Sequence, residues 1–253
     1  MNRFNIFIIA AISIICLSCN LQAQPKFIVH IIGGYSQPLS DLKGSIPVFD
    51  TMQNSRANYP FQMKNGFNFG ADVKLALGKQ RNIRVVFGLN YNVFKNSADM
   101  PDIYYPNESV TFKTKVNILG LSLGGEYAFL PKKNVNPFIG FDLTGNFWSG
   151  SFSWDNSGDS AAYTILSLKS AARFGLQFGG GLDIKLGKEE GIVAGIKYNF
   201  TNLTGKGYTD PLSFGSSEIS LNDKASGINP ARNLNYLQFY IGISMFLGQP
   251  KKK

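Results

Sequence analysis

Gly66-Phe67-Asn68-Phe69-Gly70-Ala71-Asp72-Val73-Lys74-Leu75-Ala76-Leu77, followed by the turn Gly78-Lys79-Gln80-Arg81-Asn82 and the return Ile83-Arg84-Val85-Val86-Phe87-Gly88-Leu89-Asn90-Tyr91-Asn92-Val93, decides the fold. Phe67, Phe69, Ala71, Val73, Leu75 and Leu77 alternate with Asn68, Gly70, Asp72, Lys74 and Ala76. On the way back Ile83, Val85, Phe87, Leu89, Tyr91 and Val93 alternate with Arg84, Val86, Gly88, Asn90 and Asn92. Period two is the signature of a strand with one apolar face, so the stretch predicts a hairpin. The opposite face carries Asp, Lys, Arg and Gly, which no soluble core tolerates along a whole strand. A strand of about eleven residues spans a bilayer when tilted. We therefore read the apolar face as lipid-facing and the mixed face as the inside of a closed barrel.

The same alternation recurs along the chain. Lys26 to Ser36 places Phe27, Val29, Ile31 and Tyr35 on one face and His30 and Gly34 on the other. After the hairpin it resumes at Thr114, with Leu119, Leu121, Leu123, Tyr127 and Phe129 outward and Gly120, Ser122, Gly124, Glu126 and Ala128 inward. Ile139, Phe141, Leu143 and Phe147 oppose Gly140, Asp142, Thr144 and Asn146; Phe174, Leu176, Phe178, Leu182, Ile184 and Leu186 oppose Arg173, Gly175, Gln177, Asp183 and Lys185. Ile192, Ala194, Ile196, Tyr198 and Phe200 oppose Gly195, Lys197 and Asn199, and Leu234 to Leu247 ends the series. Between these runs lie long loops at 37–65, 95–112, 149–168 and 201–233, rich in turn formers, and short turns at 78–82, 131–137 and 187–191.

The expected fold is thus all-β: an eight-stranded antiparallel up-and-down transmembrane β-barrel with short periplasmic turns and four long external loops. Tyr240-x-Gly242-x-x-Met245-x-Leu247 agrees, being similar to the C-terminal assembly signal of bacterial barrels without its terminal aromatic.

Composition sets the location. Met1-Asn2-Arg3, the apolar run Ile6 to Leu17 and then Leu21-Gln22-Ala23 form the three regions of a secretory signal, with cleavage after Ala23, leaving 24–253 as one barrel domain. Both cysteines, Cys16 and Cys19, fall inside that signal, so the mature chain has no disulfide; lipidation of Cys19 is the alternative reading. A mean hydropathy of −0.04 excludes a helical membrane bundle. The net charge of +9 sits at turns and at the Lys251 to Lys253 tail without a basic helix face, which argues against nucleic acid.

The signal ending, the opening Gly33-Gly34-Tyr35-Ser36-x-Pro38-x-x-Asp41-Leu42-Lys43-Gly44 and the strand layout resemble the small outer-membrane β-barrel family of Bacteroidetes-type, Gram-negative bacteria, some members of which are labelled PorT-like. The resemblance implies fold and an outer-membrane location reached through the barrel assembly machinery, with outer-membrane lipid around the wall. It carries no catalytic positions.

No enzyme is expected. His30 is the one histidine, and no triad, calcium loop or phosphate loop accompanies it, so neither cofactor nor metal is predicted. The inward set His30, Asp72, Lys74, Arg84, Glu126, Asp142, Arg173, Asp183, Lys185 and Lys197 is expected to form a polar network filling a lumen only wide enough for side chains. Among the loop aromatics, Tyr59, Phe61, Tyr104, Tyr105, Trp154 and Tyr208 are the candidate anchors for a protein or glycan ligand; the alternative is that such rings pack on one another or at the membrane interface. A scaffold or binding barrel is thus the leading reading. A narrow porin-like channel, the barrel component of a secretion system and a soluble periplasmic lipocalin-like barrel are its rivals.

Overall fold

The computed structural model describes residues 26–44, 61–101, 109–156, 163–187, 189–209, 218–227 and 230–248. Among these residues nine strands follow in chain order: β1 (Lys26–Ser40), β2 (Asn65–Leu77), β3 (Ile83–Pro101), β4 (Ser109–Ala128), β5 (Val135–Asn156), β6 (Tyr163–Lys185), β7 (Glu190–Thr204), β8 (Glu218–Ile219) and β9 (Leu234–Leu247). Eight of them pair antiparallel with their neighbours in the order β1-β2-β3-β4-β5-β6-β7-β9, and β9 pairs back onto β1. The ring is closed, so it has no open edge to satisfy. The two-residue β8 lies outside it, parallel to Ser167 and Leu168 of β6.

The apolar side chains of the outer belt are exposed, Phe67 at 68% and Phe69 at 65% on β2, Leu143 at 60% on β5, Ile241 at 63% on β9, whereas Ile28, Ile32, Val86, Phe138, Val193 and Phe246 are buried on the inward side. Polar side chains point in, the reverse of a soluble barrel. The apolar belt on β3 runs from Ile83 to Val93, about 34 Å of strand, or about 26 Å along the barrel axis at a tilt near 40°. That matches the hydrocarbon height such barrels present. No helix among the described residues is long and apolar enough to cross a membrane.

The hairpin of 66–93 forms in the expected register, Phe67 opposite Val93 and Leu77 opposite Ile83, with Gly78 supplying the left-handed φ of 71° at its turn. Two expected loops are shorter than the pattern suggested. β3 and β4 stay paired from Lys95–Lys115 up to Pro101–Ser109, and β5 and β6 up to Trp154–Tyr163. Beyond the lipid the outward positions turn to Lys, Ser, Thr and Asn, so apolar alternation stops while the backbone ladder, indifferent to side-chain polarity, continues.

Candidate functional site

The interior is layered from the short-turn end upward. In the first layer Arg84 Nη1 donates to both Glu126 Oε1 and Asp183 Oδ2, each at 2.7 Å, and Lys74 Nζ donates to Glu126 Oε2. Asn136 Nδ2 donates to Asp183 Oδ2 at 3.3 Å. His30 Nε2 stands 3.2 Å from Asp183 Oδ1 but out of line for a hydrogen bond. All five charged or titratable members are buried. The Lys74 ammonium also lies 4.0 Å above the Phe138 ring, and Lys185, which donates to the Pro131 carbonyl at 3.1 Å, lies 5.5 Å from the Phe246 ring at the barrel floor. Burial of Lys74, Arg84, Glu126 and Asp183 is tolerable because each of these charges meets an opposite one.

In the second layer Lys197 Nζ donates to Asp72 Oδ2 at 3.3 Å and faces the Tyr240 ring. Asp142 shares this layer without a cation at ion-pair distance among the described residues, on the wall of a cavity of about 20 Å³ that also touches Asp72, Lys74, Glu126, Gln177 and Lys197. That volume holds about one water molecule. Glycines make the room: a Cβ on Gly88 would come 2.7 Å from Asp72 Oδ1, and one on Gly195 would come 2.6 Å from Tyr240 Cζ.

Amides and hydroxyls fill the third layer. Ser36 Oγ donates to Asn92 Oδ1 at 2.7 Å, Asn92 Nδ2 to Tyr236 Oη at 2.9 Å, Gln238 Nε2 to Asn68 Oδ1 at 3.1 Å and Asn90 Nδ2 to Gln238 Oε1 at 2.9 Å. A second cavity, about 10 Å³, lies beside them.

Above this the interior becomes apolar, which the sequence pattern did not anticipate. Inward Phe94, Val116, Ile118, Trp148 and Leu168 meet Leu42, Phe61 and Met63 from the first long connection and Leu221 from the fourth. Phe61 is therefore not an exposed anchor: it is 6% exposed, with its ring 6.4 Å from that of Trp148. A lone aromatic among turn formers reads the same whether it faces out or folds inward, and burial inside the mouth removes its surface from water. Backbone bonds fix the fold-back, Phe61 N–H donating to Asp41 O at 2.8 Å and Met63 N–H to Leu42 O at 2.9 Å.

The remaining predicted positions scatter. Trp154 belongs to β5, opposite Phe112 and Tyr163, rather than to a loop. Tyr208 is half-buried in the connection after β7, and Tyr59, Tyr104 and Tyr105 lie outside the described residues. Arg173 joins none of the lumen acids; its Nε and Nη2 donate to Asp223 Oδ2 and Oδ1, both at 2.8 Å. Asp223 also accepts from Asn202 Nδ2 and the Gly207 N–H, both at 3.0 Å. Burial pushes the Asp223 carboxyl up, and these donors more than reverse it, holding it below the usual carboxylate range. This latch, visible in the sequence only as one acid in a long loop, ties the fourth connection to the wall. Asp41 ties the first to the fourth by accepting from the Asn233 N–H at 2.6 Å.

Among the described residues no group of three or more His, Cys, Asp or Glu side chains is arranged to hold a metal ion. A family model described as outer membrane protein beta-barrel domain matches residues 22–205. Solved structures similar to this chain include Neisserial surface protein A, at 15% identity and a TM-score of 0.43, over 87% of this chain and 96% of that one. OprG from Pseudomonas aeruginosa follows at 12% identity and 0.42, over 89% and 97%. Ail, the attachment invasion locus protein of Yersinia pestis, in complex with the heparin analogue sucrose octasulfate, is similar at 8% identity and 0.39, over 88% and 99%. A search of curated proteins finds no match.

Proposed function

We propose that this chain, which belongs to the outer membrane protein beta-barrel domain family, is a non-conducting, non-enzymatic barrel that presents a recognition surface for a protein or glycan at its long-connection end. On this reading residues 1–23 are removed as a secretory signal, the barrel assembly machinery inserts the rest, and the short turns face the periplasm. The observation that carries the reading is the filled interior. Ion pairs, an amide layer and an apolar mouth succeed one another along the axis, and the two cavities beside them hold about 20 and 10 Å³. A porin-like role would need a continuous aqueous path, which eight-stranded barrels filled by side chains lack. The strands β3 to β6 continue past the apolar belt and raise a wall around the mouth, which supports a partner contact there rather than transport through it.

The test separates rim from lumen. Cells lacking the protein are complemented with a Tyr104→Ser/Tyr105→Ser variant or with Asp142→Asn. The reading expects the first to lose the deletion phenotype's rescue while still folding, and the second to rescue it. Rescue by the first and failure of a folded Asp142→Asn barrel would move the site inside.

A further inference from the structure

Lys95 of β3 and Lys115 of β4 are direct register partners on the outward face. Two like charges opposite each other across an antiparallel pair repel, and sheets avoid the arrangement unless something between them is negative. Both lysines are exposed, and among the described residues no carboxylate pairs with either. Lys113 stands exposed one outward position further along β4, opposite Ser97, and Lys64 is exposed next to Asn65, the β2 partner of Lys95. The first acidic positions further out, Asp99 and Asp155, are at the register level of Thr111, and the Thr111 hydroxyl donates to Asp99 at 2.7 Å.

Height decides what could lie between these ammonium groups. The row Tyr91–Leu119–Phe147 is the last fully apolar one on this wall; Val93–Asn117–Ser149 follows, and then Lys95–Lys115–Ser151. The lysine row is one step of two residues beyond Val93, about 5 Å along the axis, which is headgroup depth rather than bulk water. The exposed basic residues at the opposite barrel end, Lys79, Lys132 and Lys133 among the described ones, sit in turns instead of on the lipid-facing wall.

We propose that the outer faces of β3 and β4 carry a docking site for the phosphate groups of a phosphorylated lipid in the leaflet at the long-connection end, with Lys95 and Lys115 at its centre and Lys64 at its flank. The site is outside the wall, so it rests on membrane insertion and not on what the lumen or loops do. A barrel that proved to conduct would leave the following outcome unchanged.

The purified full chain in detergent micelles is mixed with diphosphorylated lipid A, with its dephosphorylated counterpart, or with inorganic pyrophosphate, and retained molecules are counted by native mass spectrometry. The wild type should retain the phosphorylated lipid about ten-fold over the dephosphorylated one, and Lys95→Gln/Lys115→Gln should lose that preference. Lys132→Gln/Lys133→Gln should keep it. Equal retention of the two lipids by the wild type, a measurement that needs no variant, overturns the proposal. So does an unchanged preference in a folded, heat-modifiable Lys95→Gln/Lys115→Gln barrel. Full displacement of the lipid by pyrophosphate at matched phosphate concentration assigns the site to free phosphate and overturns the lipid.

Discussion

Arg84 on β3 and Asp183 on β6 meet across the barrel at 2.7 Å although 99 residues separate them in the chain. The same guanidinium nitrogen reaches Glu126 at an equal distance, so one arginine joins three strands from inside. Removing it leaves two buried carboxylates facing each other without their shared cation. Arg84→Ala should cost about 3–5 kcal/mol of stability, as breaking a buried pair does. Urea unfolding in micelles, followed by heat-dependent gel mobility, measures it; a loss near zero would mean that water substitutes for the arginine.

The apolar mouth makes a second prediction. Phe61→Ala should destabilise by about 3 kcal/mol and shift Trp148 fluorescence to the red, because the cavity opens beside the indole. A surface aromatic would give neither change.

The Arg173–Asp223 latch makes a third, with a defined sign. Its carboxyl is depressed in the folded chain, so its contribution is fully present above the ordinary Asp value of about 3.9 and is lost only as pH falls through the lower folded value. Protease cleavage in the fourth connection should be equally slow at pH 7 and pH 5, and fast at both in Asp223→Ala. Onset of cleavage between pH 7 and pH 5 in the wild type would contradict the latch.

Barrel closure is sensitive at Gly242, where a Cβ would overlap the Ile31 carbonyl oxygen across the β9–β1 seam. Gly242→Val should prevent the heat-modifiable form from appearing on gels, whereas Gly145→Val, facing open space, should not.

These residues also mark what was legible in the sequence. Parity alone separated lipid-facing Phe67 and Leu143 from inward Asp72 and Asp142, because a period of two is a local property. It could not say that Arg84 finds Asp183, since that depends on closing the ring and on every intervening register. Arg173 illustrates the limit: it keeps the inward parity of β6, between exposed Ala172 and Phe174, but its partner is an acid of the fourth connection that no strand pattern places. The apolar mouth was hidden for a different reason. Phe94, Val116, Ile118 and Trp148 occupy inward positions where polar residues were expected, and their packing partners Leu42, Phe61 and Met63 come from a connection with no periodicity to read.

On the proposed function the barrel is closed to ions along its axis. Single-channel recording in planar bilayers, with protein purified free of porins and shown to be folded by heat-dependent mobility, tests it most directly. A filled barrel should give a baseline indistinguishable from the protein-free membrane, in Arg173→Ala as in the wild type, because the ion-paired and amide layers below the mouth remain intact. Stable, reproducible conductance steps from the wild-type barrel would contradict it.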